Sequence, residues 1–212
     1  MKRTGKKRIF VGAGFLAAFV LWTVLVSFVD VRAIGPNGSS VGFAALNGYV
    51  HIFTGVNFHL YTITDWLGLV PIGVAFGFAI LGLVQWIKRK SLLKVDRSLL
   101  ALGGFYVVVL AAYIFFEIVV INYRPVLLGG YLEASYPSST TMLVMCVMPA
   151  AMMQLRTRIK NCVFRRCVMI LIAVFIVFMV IGRLVSGVHW LTDIIAGALL
   201  STGLVMIYAS LS

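Results

Sequence analysis

The residues most able to do chemistry stand out against the distribution of positive charge. Fifteen of the eighteen Lys and Arg fall into three clusters: Lys2, Arg3, Lys6, Lys7 and Arg8; Lys88, Arg89, Lys90, Lys94 and Arg97; and Arg156, Arg158, Lys160, Arg165 and Arg166. Only Arg32, Arg124 and Arg183 lie apart from them. Arg124 precedes Pro125, and Arg183 lies within the end of an apolar run, where a charge is expensive unless it has a partner or a task. Two guanidiniums from different helices at one depth suggest an anion site, with snorkelling to headgroups as the structural alternative. His189 and Asp193 are four residues apart. On a helix they share a face, so the carboxylate can hold one ring nitrogen while the other is free to attack or take a proton. Another apolar run opens with Pro137, Ser138, Ser139 and Thr140. A helix capped by Ser138 or Ser139 offers free N–H groups and the positive end of its dipole, a setting that binds phosphate or carboxylate.

The elements that position these residues follow from composition. Of 212 residues, 62% are hydrophobic and 11% charged, against roughly 45–50% and about 25% in soluble domains. That leaves too few charges to cover a water-exposed globule. Six apolar runs, Ile9–Val29, Trp66–Ile87, Ser98–Ile121, Ser138–Leu155, Cys167–Val185 and Trp190–Leu211, are each within range of the ~20 residues needed to cross a bilayer as a helix. The expected fold is an all-α membrane protein of six transmembrane helices in a helical bundle, one domain over 1–212 with no polar linker. Short basic loops stay in the cytoplasm. Both termini are therefore expected there, with the segments 30–65, 122–137 and 186–189 on the outer face. This distribution accounts for the net charge of +12 without nucleic acid. The first run reads as a retained helix rather than a signal peptide, since its end shows Asp30 and Arg32 and no small-residue cleavage pattern. Between the first two spans, Phe43, Leu46, Val50 and Phe53 recur at helical spacing and suggest a short interfacial helix; a plain surface helix is the alternative. Cys146, Cys162 and Cys167 allow no outer disulfide, and three scattered histidines make no metal set.

In order and spacing, these motifs resemble the type 2 phosphatidic acid phosphatase superfamily, which also contains acid phosphatases and vanadium haloperoxidases. The family pattern runs Lys, six residues, Arg-Pro; then Pro-Ser-Gly-His; then Ser-Arg, five residues, His, three residues, Asp. Here the three parts read EIVVINYRP, PSST and GRLVSGVHWLTD. Arg124, Pro125, Pro137, Ser138, Arg183, His189 and Asp193 match in identity and spacing. The resemblance implies that His189 is a nucleophile forming a phosphohistidine and that Asp193 orients it. Arg124, Arg183 and Ser138, with Ser139 beside it, would hold phosphoryl oxygens. It implies no metal and no cofactor. Phosphoryl transfer depends chiefly on positioning and charge stabilisation, which these residue types supply.

Four positions depart from the pattern: Glu117 for Lys, Ser139 for Gly, Thr140 for the second His and Gly182 for Ser. The family's second histidine is its general acid, and a threonine hydroxyl cannot replace it. General acids contribute about 10²–10⁴-fold, so the loss slows the chemistry without necessarily abolishing it. Glu117, seven residues before Arg124, either pairs with that arginine or supplies an acid. Two functional classes follow. One is a membrane lipid phosphatase acting on a lipid phosphate or diphosphate at the outer leaflet, with a polyprenyl diphosphate favoured because its leaving group needs no proton. The other is a catalytically silent or phosphotransferase relative that binds or carries lipid phosphates. Single cysteines engineered at residues 126–134 are expected to label from outside the cell, and those near Lys90 and Lys160 only after permeabilisation. The reverse pattern overturns the outward-facing site.

Overall fold

The computed structural model describes residues 2–211, which fold into eight α-helices: α1 (Lys2–Phe28), α2 (Ala44–Thr54), α3 (Phe58–Leu67), α4 (Leu69–Arg89), α5 (Arg97–Ile118), α6 (Ser139–Arg158), α7 (Cys162–Val185) and α8 (Leu191–Leu211). Five stretches are long and apolar enough to cross a membrane: Thr4–Phe28, Phe58–Arg89, Arg97–Ile118, Cys162–Val185 and Leu191–Leu211. Their outward faces carry large apolar side chains such as Phe10, Phe76, Val107 and Leu171, as lipid contact requires. The chain is a multi-pass membrane protein.

The remaining expected span, Ser138–Leu155, folds as α6, which is long enough but less apolar than the other five. The reason is its position. Nine of its 20 residues are buried, and it packs against α8, α7 and α4, so its side chains meet protein rather than lipid. Gln154 is tolerated there because its amide donates to the Tyr208 hydroxyl at 2.6 Å and the Ser98 carbonyl at 3.0 Å. A second difference concerns the segment expected as a loop before Trp66. It contains α3, capped by Asn57, whose side chain accepts from Leu60 N–H at 2.9 Å, and α3 leads through Gly68 into α4.

Helix α2 forms where the spacing of Phe43, Leu46, Val50 and Phe53 suggested one. Its outward stripe is Leu46, Tyr49, Ile52 and Phe53, the last two more than 80% exposed. Its inward face holds Asn47, whose amide donates to Thr192 Oγ1 at 2.9 Å and accepts from Thr192 N–H at 3.2 Å. Asn47 therefore ties α2 to the first turn of α8, beside His189.

Helices α1 and α8 make the closest pairing in the bundle. A Cβ on Gly12 would lie 2.8 Å from Ile207 Cγ1 and 2.9 Å from the Gly203 carbonyl, and one on Gly203 would lie 2.7 Å from Leu16 Cδ2. Small residues at membrane helix crossings let backbones approach and gain dispersion contacts that lipid cannot replace. The other end of this pair holds Trp22, whose indole N–H donates to the Thr192 carbonyl at 3.1 Å. Gly12→Leu or Gly203→Leu is expected to overpack this crossing at a cost of about 1–3 kcal/mol, lowering the thermal midpoint in detergent by several degrees. Gly14→Leu, whose Cβ meets nothing within 4 Å, serves as the control; equal midpoints for all three variants contradict the packing assignment.

Candidate active site

Four segments meet at the end of the bundle opposite the basic loops: the α5–α6 connection, the start of α6, the end of α7 and the α7–α8 turn. The α5–α6 connection is folded back on itself, with Leu128 and Tyr131 exchanging backbone hydrogen bonds around Gly129 and Gly130. Both glycines have positive φ, 58° and 84°, the requirement of a two-residue hairpin turn that matches strand twist. Arg124 N–H then donates to the Glu133 carbonyl at 3.0 Å, and Ser135 N–H to that of Asn122 at 2.9 Å. The hairpin thus sets Asn122, Arg124, Glu133 and Ser135 side by side.

The α7–α8 turn is as tightly specified. Gly187 has φ +69°, and a Cβ there would come within 1.9 Å of the Gly55 carbonyl oxygen, so neither its backbone conformation nor its surroundings admit a side chain. Asp193 lies in the first turn of α8, and its Oδ2 reaches back to accept from Trp190 N–H at 3.0 Å. This is the acidic half of a capping box, which satisfies a donor the helix leaves free.

These elements converge on His189, which is 3% exposed. Arg124 Nη1 donates to His189 Nε2 at 2.9 Å, and Arg183 Nη2 donates to it at 3.2 Å. On the other side of the ring, Nδ1 lies 3.0 Å from Ser135 Oγ, whose hydroxyl donates in turn to Asp193 Oδ2. The consistent proton arrangement is Nδ1–H donating to Ser135, with the Nε2 lone pair turned to the two guanidiniums. Burial, then the charges of Arg124 and Arg183, hold this imidazole well below its ordinary pKa, so it is neutral at pH 7.

The histidine–aspartate pair differs from the helical arrangement read from the sequence. His189 precedes α8, and its Nδ1 is 3.9 Å from Asp193 Oδ2, too far for a hydrogen bond. Ser135 bridges the two because Oδ2 is already engaged by the Trp190 N–H and Oδ1 by the Asn122 amide at 3.3 Å. Nothing in the spacing of Ser135 announced this position; it follows from the hairpin.

Both arginines are held by carboxylates absent from the motifs. Arg124 Nε pairs with Glu133 at 3.0 Å. Glu117 lies elsewhere, lining a small pocket with Tyr113, Ser135 and Ser139, and the ion-pair partner of Arg124 is Glu133. Arg183 Nη1 lies 3.5 Å from Asp65 Oδ1 and 3.5 Å from Thr64 Oγ1, and its guanidinium stacks over the Tyr61 ring at 5.0 Å. Its Nε is buried without a hydrogen-bond partner. The departure at Gly182 has a structural reason, since a Cβ there would come within 2.8 Å of Thr64 Cγ2. Glycine lets α3 reach Arg183.

Ser138 caps α6, its hydroxyl accepting from Thr141 N–H at 3.5 Å while its own N–H donates to the Asp193 carbonyl at 3.1 Å. Its hydroxyl is thereby engaged with the first turn of its own helix. Ser139 and Thr140 instead line a groove of about 550 Å3 between α4, α5 and α6, with Asp65 beside them and Leu69, Ile72, Val109, Leu110, Leu143 and Val147 along its walls. No group of three or more Asp, Glu, His and Cys side chains suited to a metal occurs among the described residues.

Residues 115–212 match the family model described as PAP2 superfamily, a stretch that contains Arg124, Ser138, Arg183, His189 and Asp193. Residues 115–212 belong to the PAP2 superfamily. No curated protein matches it. Among solved structures, the chain is similar to the first transmembrane PAP2 type phosphatidylglycerolphosphate phosphatase from Bacillus subtilis, at 22% identity and a TM-score of 0.50, over 94% of this chain and 93% of that one. At that identity the likeness is one of fold.

Two guanidiniums that converge on one imidazole nitrogen are the donor arrangement that the expected anion site requires. Arg124→Ala and Arg183→Ala are each expected to weaken inorganic vanadate binding by at least about tenfold, the lower range for a hydrogen bond to a charged group. Lysine at either position should restore binding only in part, lacking the planar fork. Unchanged binding in both alanine variants removes the anion-site assignment.

Proposed function

We propose that this protein is a lipid phosphatase that transfers a phosphoryl group from a lipid phosphate or diphosphate to His189 Nε2 and then to water, at the outer face of the cell membrane. The observation that carries the reading is the convergence of Arg124 and Arg183 on a neutral imidazole nitrogen beside the polar head of an apolar groove. An incoming phosphoryl group takes over the guanidinium donors, including the unspent Arg183 Nε–H, and meets the Nε2 lone pair they release. As the N–P bond forms, the ring gains positive charge, and the Nδ1–H, Ser135, Asp193 chain stabilises it. The first-turn N–H groups of Ser139 and Thr140 and the dipole of α6 add positive potential from a third side. The apolar walls of the groove suit a hydrocarbon chain, which favours a lipid over a soluble phosphate ester.

In this reading six helices cross the membrane, with α6 enclosed by the others. The basic ends of α4, α6 and α7 face the cytoplasm with both termini, and the exposed stripe of α2 rests in the outer leaflet. The lipid diphosphate is the preferred substrate, because it expels a phosphate monoester that is already stable as an anion. The second reading, a silent or phosphotransferase relative that binds or carries lipid phosphates, is favoured by one observation, the threonine where the family has its acid. Phosphate release by purified protein in detergent from polyprenyl diphosphate, phosphatidate and phosphatidylglycerol phosphate decides between them. The expected result is turnover that His189→Ala abolishes, highest on the diphosphate. Substrate binding without phosphate release in the wild type favours the second reading.

A further inference from the structure

Resting on the lipid-phosphatase reading, we propose that Asp65 is the general acid of this site, supplying from α3 the proton that the residue at 140 cannot give. A leaving-group acid must sit where the scissile oxygen lies, between the phosphoryl pocket and the lipid chain. Asp65 occupies that junction. Its carboxylate is 3.5 Å from Arg183 Nη1 on one side and lines the apolar groove beside Ser139 and Thr140 on the other. Its side chain is 56% exposed, so it is accessible to both substrate and water.

The other carboxylates of this end fail on position. Asp193 lies behind the imidazole, engaged by Ser135, Trp190 N–H and Asn122. Glu133 is on the hairpin, against Arg124 Nε. Glu117 faces a pocket with room for little more than a water molecule, about 10 Å3. Of the other histidines, His51 lies tilted against the Trp190 ring at 5.4 Å, and neither it nor His59 lines the groove. Tyr113 does line it, but a phenol is a far weaker acid than a carboxyl group.

In the first step His189 Nε2 attacks phosphorus, the bond from phosphorus to the lipid oxygen breaks, and its electron pair leaves with that oxygen. The Asp65 carboxyl proton passes to the oxygen, giving a phosphohistidine, a carboxylate and the released lipid, an alcohol from a monoester or a lipid monophosphate from a diphosphate. In the second step water attacks phosphorus, Asp65 takes its proton, and the N–P electrons return to Nε2 as inorganic phosphate departs. Water, to which the side chain is open, supplies the proton that Asp65 carries into the first step.

The acid matters most where the leaving group is poorest. Asp65→Asn is expected to lower kcat/KM for phosphatidate by about 10²–10⁴-fold, the range of a lost general acid, and for polyprenyl diphosphate by much less, so the preference for diphosphate widens. Adding Thr140→His to that variant restores the family's acid without restoring a negative charge. It should recover part of the phosphatidate activity and narrow the preference again, which a merely structural or electrostatic role would not do. Equal losses on both substrates, no loss on phosphatidate, or no recovery with Thr140→His overturns Asp65 as the acid while leaving the phosphatase reading intact. Absence of phosphate release from either substrate in the wild type overturns both.

Discussion

The structure turns on the cost of holding two guanidiniums close together in a largely water-free setting. Arg183 is 1% exposed and Arg124 9%, and like charges at this separation repel strongly where water is excluded. What makes the arrangement stable is the set of partners around it: Glu133 on Arg124, Asp65, Thr64 and the Tyr61 ring on Arg183, and one neutral imidazole accepting from both. Much of the local fold supplies those partners. Helix α3 brings Tyr61, Thr64 and Asp65 to one face, Gly182 lets that face approach, and the hairpin delivers Glu133 to Arg124.

The same constraint links structure to reactivity. A histidine beside two fixed cations gives up its proton readily, and burial acts in the same direction. Its Nε2 is thereby kept unprotonated, at the price of a ring that resists taking on positive charge. The Ser135–Asp193 chain offsets this from the Nδ1 side. Asp193 also caps α8 through Trp190 N–H, so the carboxylate that stabilises the ring also fixes the start of the helix next to it.

Much of this was legible in the sequence because lipid makes charge conspicuous. Arg124 and Arg183 stood out as exceptions to the basic clusters, and Ser138, His189 and Asp193 fell in spaced motifs. What stayed hidden depends on contacts between segments distant in sequence. Asp65 and Thr64 are unremarkable until α3 is laid against α7. Gly129–Gly130 is a readable hairpin signal, yet the pairing shifts by two residues between Leu128–Tyr131 and Tyr123–Ala134. Simple counting from the turn would set Arg124 opposite Ser135 rather than Glu133. The histidine–aspartate spacing suggested a helix, whereas the helix begins only at Leu191. Helix α6 falls short in apolarity because an enclosed helix answers to its neighbours rather than to lipid.

The close pairing of α1 with α8 bears on how the molecule is made. Ribosomes release α1 first, and its glycine-faced groove has no partner until about 160 residues later, when α8 emerges. Until then that face is covered by lipid or by the insertion machinery. His189 and Asp193 arrive on the same late segment, so a chain inserted only through α7 holds two arginines with no imidazole between them. The pairing of α1 with α8 and the approach of His189 and Asp193 to the two arginines are therefore completed together, by the last helix to be made.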